Sequence, residues 1–136
     1  MSTGRRQART IALQVLYEVD ATAHDWRITL DRAVQADGVT EDGVMWAGVL
    51  VEGVKANQAR IDALIQEYAP AWPLEQLSAV GRNILRIAIF EILMNNETPP
   101  KVAVNEAVEL AKIFGSENLH KFVNGVLGSI MAIARA

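Results

Sequence analysis

The 136-residue sequence predicts an all-α fold, a compact bundle of about seven helices in two small sub-bundles. Apolar residues recur at three- and four-residue spacings along nearly the whole chain. No run of β-branched and aromatic residues alternates with polar ones for long enough to make a strand. An apolar content of 51% is enough for one core, so residues 1–136 read as a single domain.

The elements follow in order. The first helix begins after Ser2 or Thr3 and runs to about Thr22, with Ala8, Ala12, Val15, Leu16 and Val19 as its inner stripe. A second covers Trp26 to Ala36 and stops at Asp37-Gly38. A third, Glu41 to Lys55, lines up Val44, Gly48, Val51 and Lys55; a fourth, Gln58 to Tyr68, turns Ile61, Leu64, Ile65 and Tyr68 inward. Pro70-Ala71-Trp72-Pro73 is a rigid break and reads as a hinge between two helical halves. Leu74 to Met94, apolar almost all round from Ile84 onward, is the expected central helix, with Gly81 as a place to bend or split it. Pro99-Pro100 open a helix that buries Ala103, Ala107, Leu110, Ala111 and Phe114 and ends on Gly115. Ser116 then caps a last helix with the stripe Leu119, Phe122, Val123, Val126, Leu127 and Ile130.

Composition narrows the function. Cysteine is absent, which excludes disulfides, zinc-thiolate sites and thiol nucleophiles and fits a reducing cytoplasm. Gln14, Tyr17 and Glu18 interrupt the apolar stretch behind the N-terminal arginines, so no signal-peptide core is expected. Ile84 to Met94 contains Arg86 and Glu91 and is too short to cross a bilayer. The net charge of −3 conceals a division: residues 18–75 hold 11 acidic and 4 basic side chains, the two ends together 5 acidic and 9 basic. Basic ends around an acidic middle suit a molecule with one face toward a polyanion, and equally an unevenly charged solvated surface.

Catalysis is poorly supplied. His24 and His120 lack a metal spacing, and no phosphate loop, dinucleotide fingerprint or nucleophile elbow is present. Glu41-Asp42 and Glu106/Glu109 read as helix-surface charge. No enzyme, metal or cofactor is expected. Binding residues are easier to find. Arg5, Arg6 and Arg9 precede the first acidic residue, Glu18, and Arg5 and Arg9 share a helical face. Guanidinium groups contact phosphate bidentately and stack on unpaired bases, so the cluster fits an RNA-binding edge; it fits a solvated, fraying terminus equally well. In the last helix, His120, Lys121 and Asn124 fall opposite the apolar stripe. Phe122 sits at its seam, placed for the core or for stacking on a base. Arg82 and Arg86 lie one turn apart in the apolar central helix, where charge requires a partner. Glu106 or Glu109 is the expected counter-ion of Arg86, and Arg82 is the better candidate for a surface meeting another protein. The tryptophans at 26, 46 and 72 read as core or loop anchors.

Three segments carry a family resemblance. They are Pro100-Lys101-Val102-Ala103-Val104-Asn105-Glu106-Ala107-Val108-Glu109-Leu110-Ala111-Lys112 with Phe114-Gly115 and His120-Lys121-Phe122-Val123-Asn124-Gly125-Val126-Leu127, the stretch Leu85 to Leu93, and Arg5-Arg6-Gln7-Ala8-Arg9 through Tyr17. In order and spacing the chain resembles the NusB family of bacterial transcription antitermination factors, closely from about residue 76 and loosely between 22 and 75. The resemblance implies an all-helical fold and a role in processive transcription of ribosomal RNA operons. It also implies binding of boxA-type single-stranded RNA together with a small-subunit ribosomal protein acting as NusE, within the RNA polymerase antitermination complex. No DNA or membrane partner is implied. By the same resemblance Arg5, Arg6, Arg9, Lys121, Phe122 and Asn124 form the RNA side, and Glu75, Arg82 and Arg86 the protein-partner side. Two positions depart from the family pattern: Gln7 interrupts the basic run, and Gly81 stands where members often carry a charge. A related domain precedes the catalytic part of some ribosomal RNA methyltransferases; with no cofactor-binding domain before Ala136, the standalone factor is expected. The competing reading is a helical protein-interaction module without an RNA role.

Overall fold

The computed structural model describes residues 3–69, 77–95 and 97–134. Among them are six α-helices and no strand: α1 (Thr3–Ala21), α2 (Trp26–Ala33), α3 (Glu41–Tyr68), α4 (Ala79–Ile89), α5 (Pro100–Phe114) and α6 (Leu119–Ala134). A π-helical segment, Phe90–Met94, follows α4 directly. The chain forms two compact units, residues 1–56 and 57–136, so α3 contributes to both. The expected break at Pro70-Ala71-Trp72-Pro73 lies outside the described residues.

Residues 41–68, read from sequence as two helices, are one. The buried positions Ala47, Leu50, Val51, Val54, Ile61 and Ile65 keep a single helical stripe through the whole length. Asn57 and Gln58 put polar side chains on that stripe, which interrupts the apolar pattern but supplies no glycine, proline or cap to stop the backbone.

In the first unit, α1 buries Ala8, Ile11, Ala12, Leu13, Val15 and Leu16, a wider arc than the predicted stripe, while Val19 is half-buried. Helix α2 packs on α1 and is capped by Asp25, whose Oδ1 accepts from the Arg27 N–H at 2.9 Å. It ends at Ala33, a turn earlier than predicted, and Gly38 (φ +85°) then takes the left-handed conformation that only glycine adopts without strain.

In the second unit, α4, α5 and α6 pack on one another. Ser78 caps α4, its Oγ accepting from the Gly81 N–H at 3.0 Å. Gly81 therefore lies in the first turn and does not split the helix; the irregular geometry comes later, in the π-helical Phe90–Met94. There Glu91, 1% exposed, accepts a hydrogen bond from Thr98 Oγ1 at 3.0 Å. Helix α5 begins at Pro100 as predicted and buries Ala103, Ala107, Leu110 and Ala111, but Phe114 is 41% exposed because the helix ends there. Ser116 is not the cap of α6: the backbone turns through Ser116–Asn118 and the helix starts at Leu119. Leu119 packs against both Gly81 and Gly115, two sites where a Cβ would collide with it. Gly115 is extended (φ −97°), so close approach and not handedness requires glycine there.

Candidate nucleic-acid interface

The arginine cluster occupies the first two turns of α1, where the structure separates its members. Arg6 is exposed, Arg5 is half-buried, and Arg9 is buried at 5% exposure. The expectation of three arginines on one open edge is thus corrected for Arg9. It is four residues before Leu13 and seven before Leu16, both buried, and so lies on the packed stripe of α1.

The beginning of α1 is fastened to the beginning of α3. The Arg5 guanidinium carbon stands 4.1 Å from the ring centroid of Trp46, which is 3% exposed. Gln7 Nε2 donates to the Gly38 carbonyl at 2.7 Å, and Gln7 Oε1 accepts from the Thr40 N–H at 3.1 Å. Thr40 Oγ1 in turn accepts from the Gly43 N–H at 2.9 Å, and a Cβ at Gly43 would run into Gln7. Gly4 likewise makes room for Asp42. Gln7 interrupts the basic run because its amide clamps the α2–α3 loop onto the arginine-bearing turn, a task that needs a donor and an acceptor together.

At the other end of the α1–α2 pair, Glu18 gathers three donors. His24 Nδ1 lies at 2.9 Å, Thr29 Oγ1 at 3.3 Å and Arg32 Nη2 at 3.4 Å. The His24 hydrogen bond first, with the Arg32 charge and Thr29 hydroxyl, holds the Glu18 carboxyl below its ordinary value against the opposing effect of desolvation.

In α6, Lys121 and Asn124 are exposed and three residues apart, hence on one side; His120 and Phe122 are half-buried. Phe122 borders the buried stripe of Val123, Val126 and Leu127, at the seam position expected from sequence. The described candidate residues thus fall into two sets, one in the first two turns of α1 in the first unit and one in the first two turns of α6 in the second.

The expected protein-partner residues differ in kind. Glu75 lies outside the described residues. Arg82 is half-buried, and its Nη1 donates to the Leu77 carbonyl at 3.0 Å. Arg86 is 4% exposed and bound in parallel by Asp62, Nε to Oδ1 at 2.8 Å and Nη2 to Oδ2 at 3.0 Å, with Nη1 donating to Asn83 Oδ1 at 3.0 Å. Asp62 of α3 is thus a counter-ion of Arg86 that the sequence reading, which expected Glu106 or Glu109, did not name; Glu109 pairs with Lys112 at 3.2 Å. Sequence reasoning missed Asp62 because nothing local links α3 to α4, although its place beside the inward Ile61 was a usable signal.

No helix among the described residues is long and apolar enough to cross a membrane, and no group of acidic or histidine side chains among them gathers as metal ligands would. The fold and these side chains define a class, the small all-α proteins with a basic helix start anchored on a neighbouring helix. The model of the NusB family matches residues 6–132, and the chain belongs to that family. It is 47% identical over 130 residues to the transcription antitermination protein NusB of Dehalococcoides mccartyi (strain CBDB1), covering 96% of this chain and 91% of the relative. Among solved structures, T. maritima NusB superposes with a TM-score of 0.89 at 34% identity, covering 97% of this chain and 93% of that one. The crystal structure of antitermination factors NusB and NusE in complex with dsRNA gives a TM-score of 0.89 at 28% identity, covering 98% of this chain and 99% of the matched chain.

Proposed function

We propose that this chain is a transcription antitermination factor that binds boxA-type single-stranded RNA together with the ribosomal protein acting as NusE, working by association and not by catalysis. The whole chain acts as one binding domain within the RNA polymerase antitermination complex, on ribosomal RNA operons. The observation that carries this reading is the arginine-bearing start of α1, with Arg6 exposed and Arg5 supported by Trp46, in a chain of the NusB family. A solvated, fraying terminus has no reason to be fastened by Gln7 and Trp46. We assign Arg5, Arg6, Lys121, Phe122 and Asn124 to contact with RNA and Arg9 to support from beneath. We assign Arg82 and Glu75 to the NusE-facing surface, which Arg86 serves by holding α4 on α3.

Salt dependence tests the arginines. Each phosphate neutralised on a single strand releases roughly 0.7 of a counterion, so affinity falls as salt rises. Neutralising Arg5 and Arg6 together flattens that slope by about one to one and a half units. An unchanged slope with intact fold removes them from the interface and leaves a protein-interaction module.

A further inference from the structure

We infer that Trp46 is a positioning residue for RNA binding, its indole face setting the Arg5 guanidinium in the orientation that meets RNA. This rests on the assignment of Arg5 to the RNA interface. The guanidinium carbon lies 4.1 Å from the ring centroid, on a side chain that α3 holds at 3% exposure. A guanidinium stacked in this way uses its flat face, whereas its N–H bonds lie in the plane and point out from the edge of the stack. Stacking on Trp46 and hydrogen bonding to phosphate oxygens or base edges therefore do not compete. An arginine already laid against a ring also loses less side-chain freedom on binding than an unsupported one.

The second observation concerns the indole itself. Trp46 Nε1 is buried without a hydrogen-bond partner. A buried orphan N–H is costly, and phenylalanine would fill an apolar site without incurring that cost. What an indole supplies beyond a phenyl ring is a stronger cation-binding face. Arg5 is the cation on that face. Gln7 fixes the start of α1 to the Gly38–Thr40 loop immediately before α3, so the ring and the guanidinium are presented by backbone held in register.

The test is a double-mutant cycle on RNA affinity, read by fluorescence anisotropy with a labelled boxA-type single-stranded RNA. The proteins are wild type, W46L, W46F, R5Q and the R5Q variants of both Trp46 substitutions. W46L weakens binding about fivefold and W46F about twofold, as expected for full and partial loss of such a contact. In the R5Q background neither has a further effect, because the ring then supports nothing. Equal losses with and without Arg5 make Trp46 a scaffold residue and overturn the inference. Wild-type affinity in R5Q removes the arginine interface and the inference with it, a result distinct from the first. Should W46L not fold, W46F carries the cycle, with lowered affinity at unchanged thermal stability. A readout that leaves Trp46 intact uses W26F/W72F protein, in which Trp46 alone emits: RNA changes its emission and R5Q abolishes the change. Unaltered emission at saturating RNA contradicts the inference.

Discussion

Replacing Asp62 by alanine isolates the energetics of the buried pair that joins α3 to α4. The Arg86 side chain is 5% exposed and that of Asp62 19% exposed, so the guanidinium is the more deeply buried partner. In D62A two of its donors, at 2.8 and 3.0 Å in the native pair, lose their acceptor, and the charge stays in an apolar helix beside Ile84, Leu85 and Ile87. Removing one partner of a buried pair costs about 3–5 kcal/mol. Water can enter where Asp62 is partly open, which favours the lower end, about 3 kcal/mol, or a fall in Tm of about 10 °C for a chain of this size. D62N keeps one acceptor and loses the charge, and should cost about half as much. R86M costs less than D62A, because the carboxylate left behind is the better solvated partner. Urea denaturation followed by circular dichroism measures all three, with the midpoint moving at constant slope. D62A within about 1 kcal/mol of wild type, or R86M worse than D62A, refutes Asp62 as the partner on which the buried Arg86 charge depends.

Two other perturbations test the packing and the electrostatics. G115A destabilises by about 1–3 kcal/mol, since its Cβ would stand 2.7 Å from the Ala111 carbonyl, a backbone atom that cannot give way. G81A costs less, because its nearest contact at 2.8 Å is the methyl end of Leu119, and a urea melt ranking the two the other way contradicts the cradle around Leu119. Glu18 governs part of the acid response. Its folded pKa lies below the ordinary 4.5, so its stabilisation is complete above that value and is lost as pH falls through the folded pKa. E18Q therefore narrows the stability difference between about pH 6 and pH 3.5, and an identical acid limb in wild type and variant refutes the His24–Glu18–Arg32 contact in solution.

Much of the fold was legible because helices signal locally. The boundaries of α1, the start of α5 at Pro100 and the buried stripes of α5 and α6 depend on spacing and capping chemistry that a single strand of sequence carries. The misreadings fall where a tertiary partner decides. Ala56-Asn57 reads as a gap between helices, yet α3 passes through it, and Gly81 reads as a place to bend or split a helix, whereas Leu119 packs against it in the first turn of α4. Arg9 was counted with its neighbours because charge is normally exposed; the width of the α1 buried arc takes it inside. For the candidate residues, sequence offers residue types and spacing but not what supports them. Gln7 read as an interruption and Trp46 as ordinary core, because the clamp and the stack each join residues more than 30 positions apart.

The most direct test of the central claim is fluorescence anisotropy of a labelled boxA-type single-stranded RNA, titrated with this protein alone and with the small-subunit ribosomal partner, beside a scrambled strand and a duplex. Selective binding to the boxA-type strand that tightens when the partner is added is the predicted result. Equal affinity for the scrambled strand with a folded partner present contradicts it.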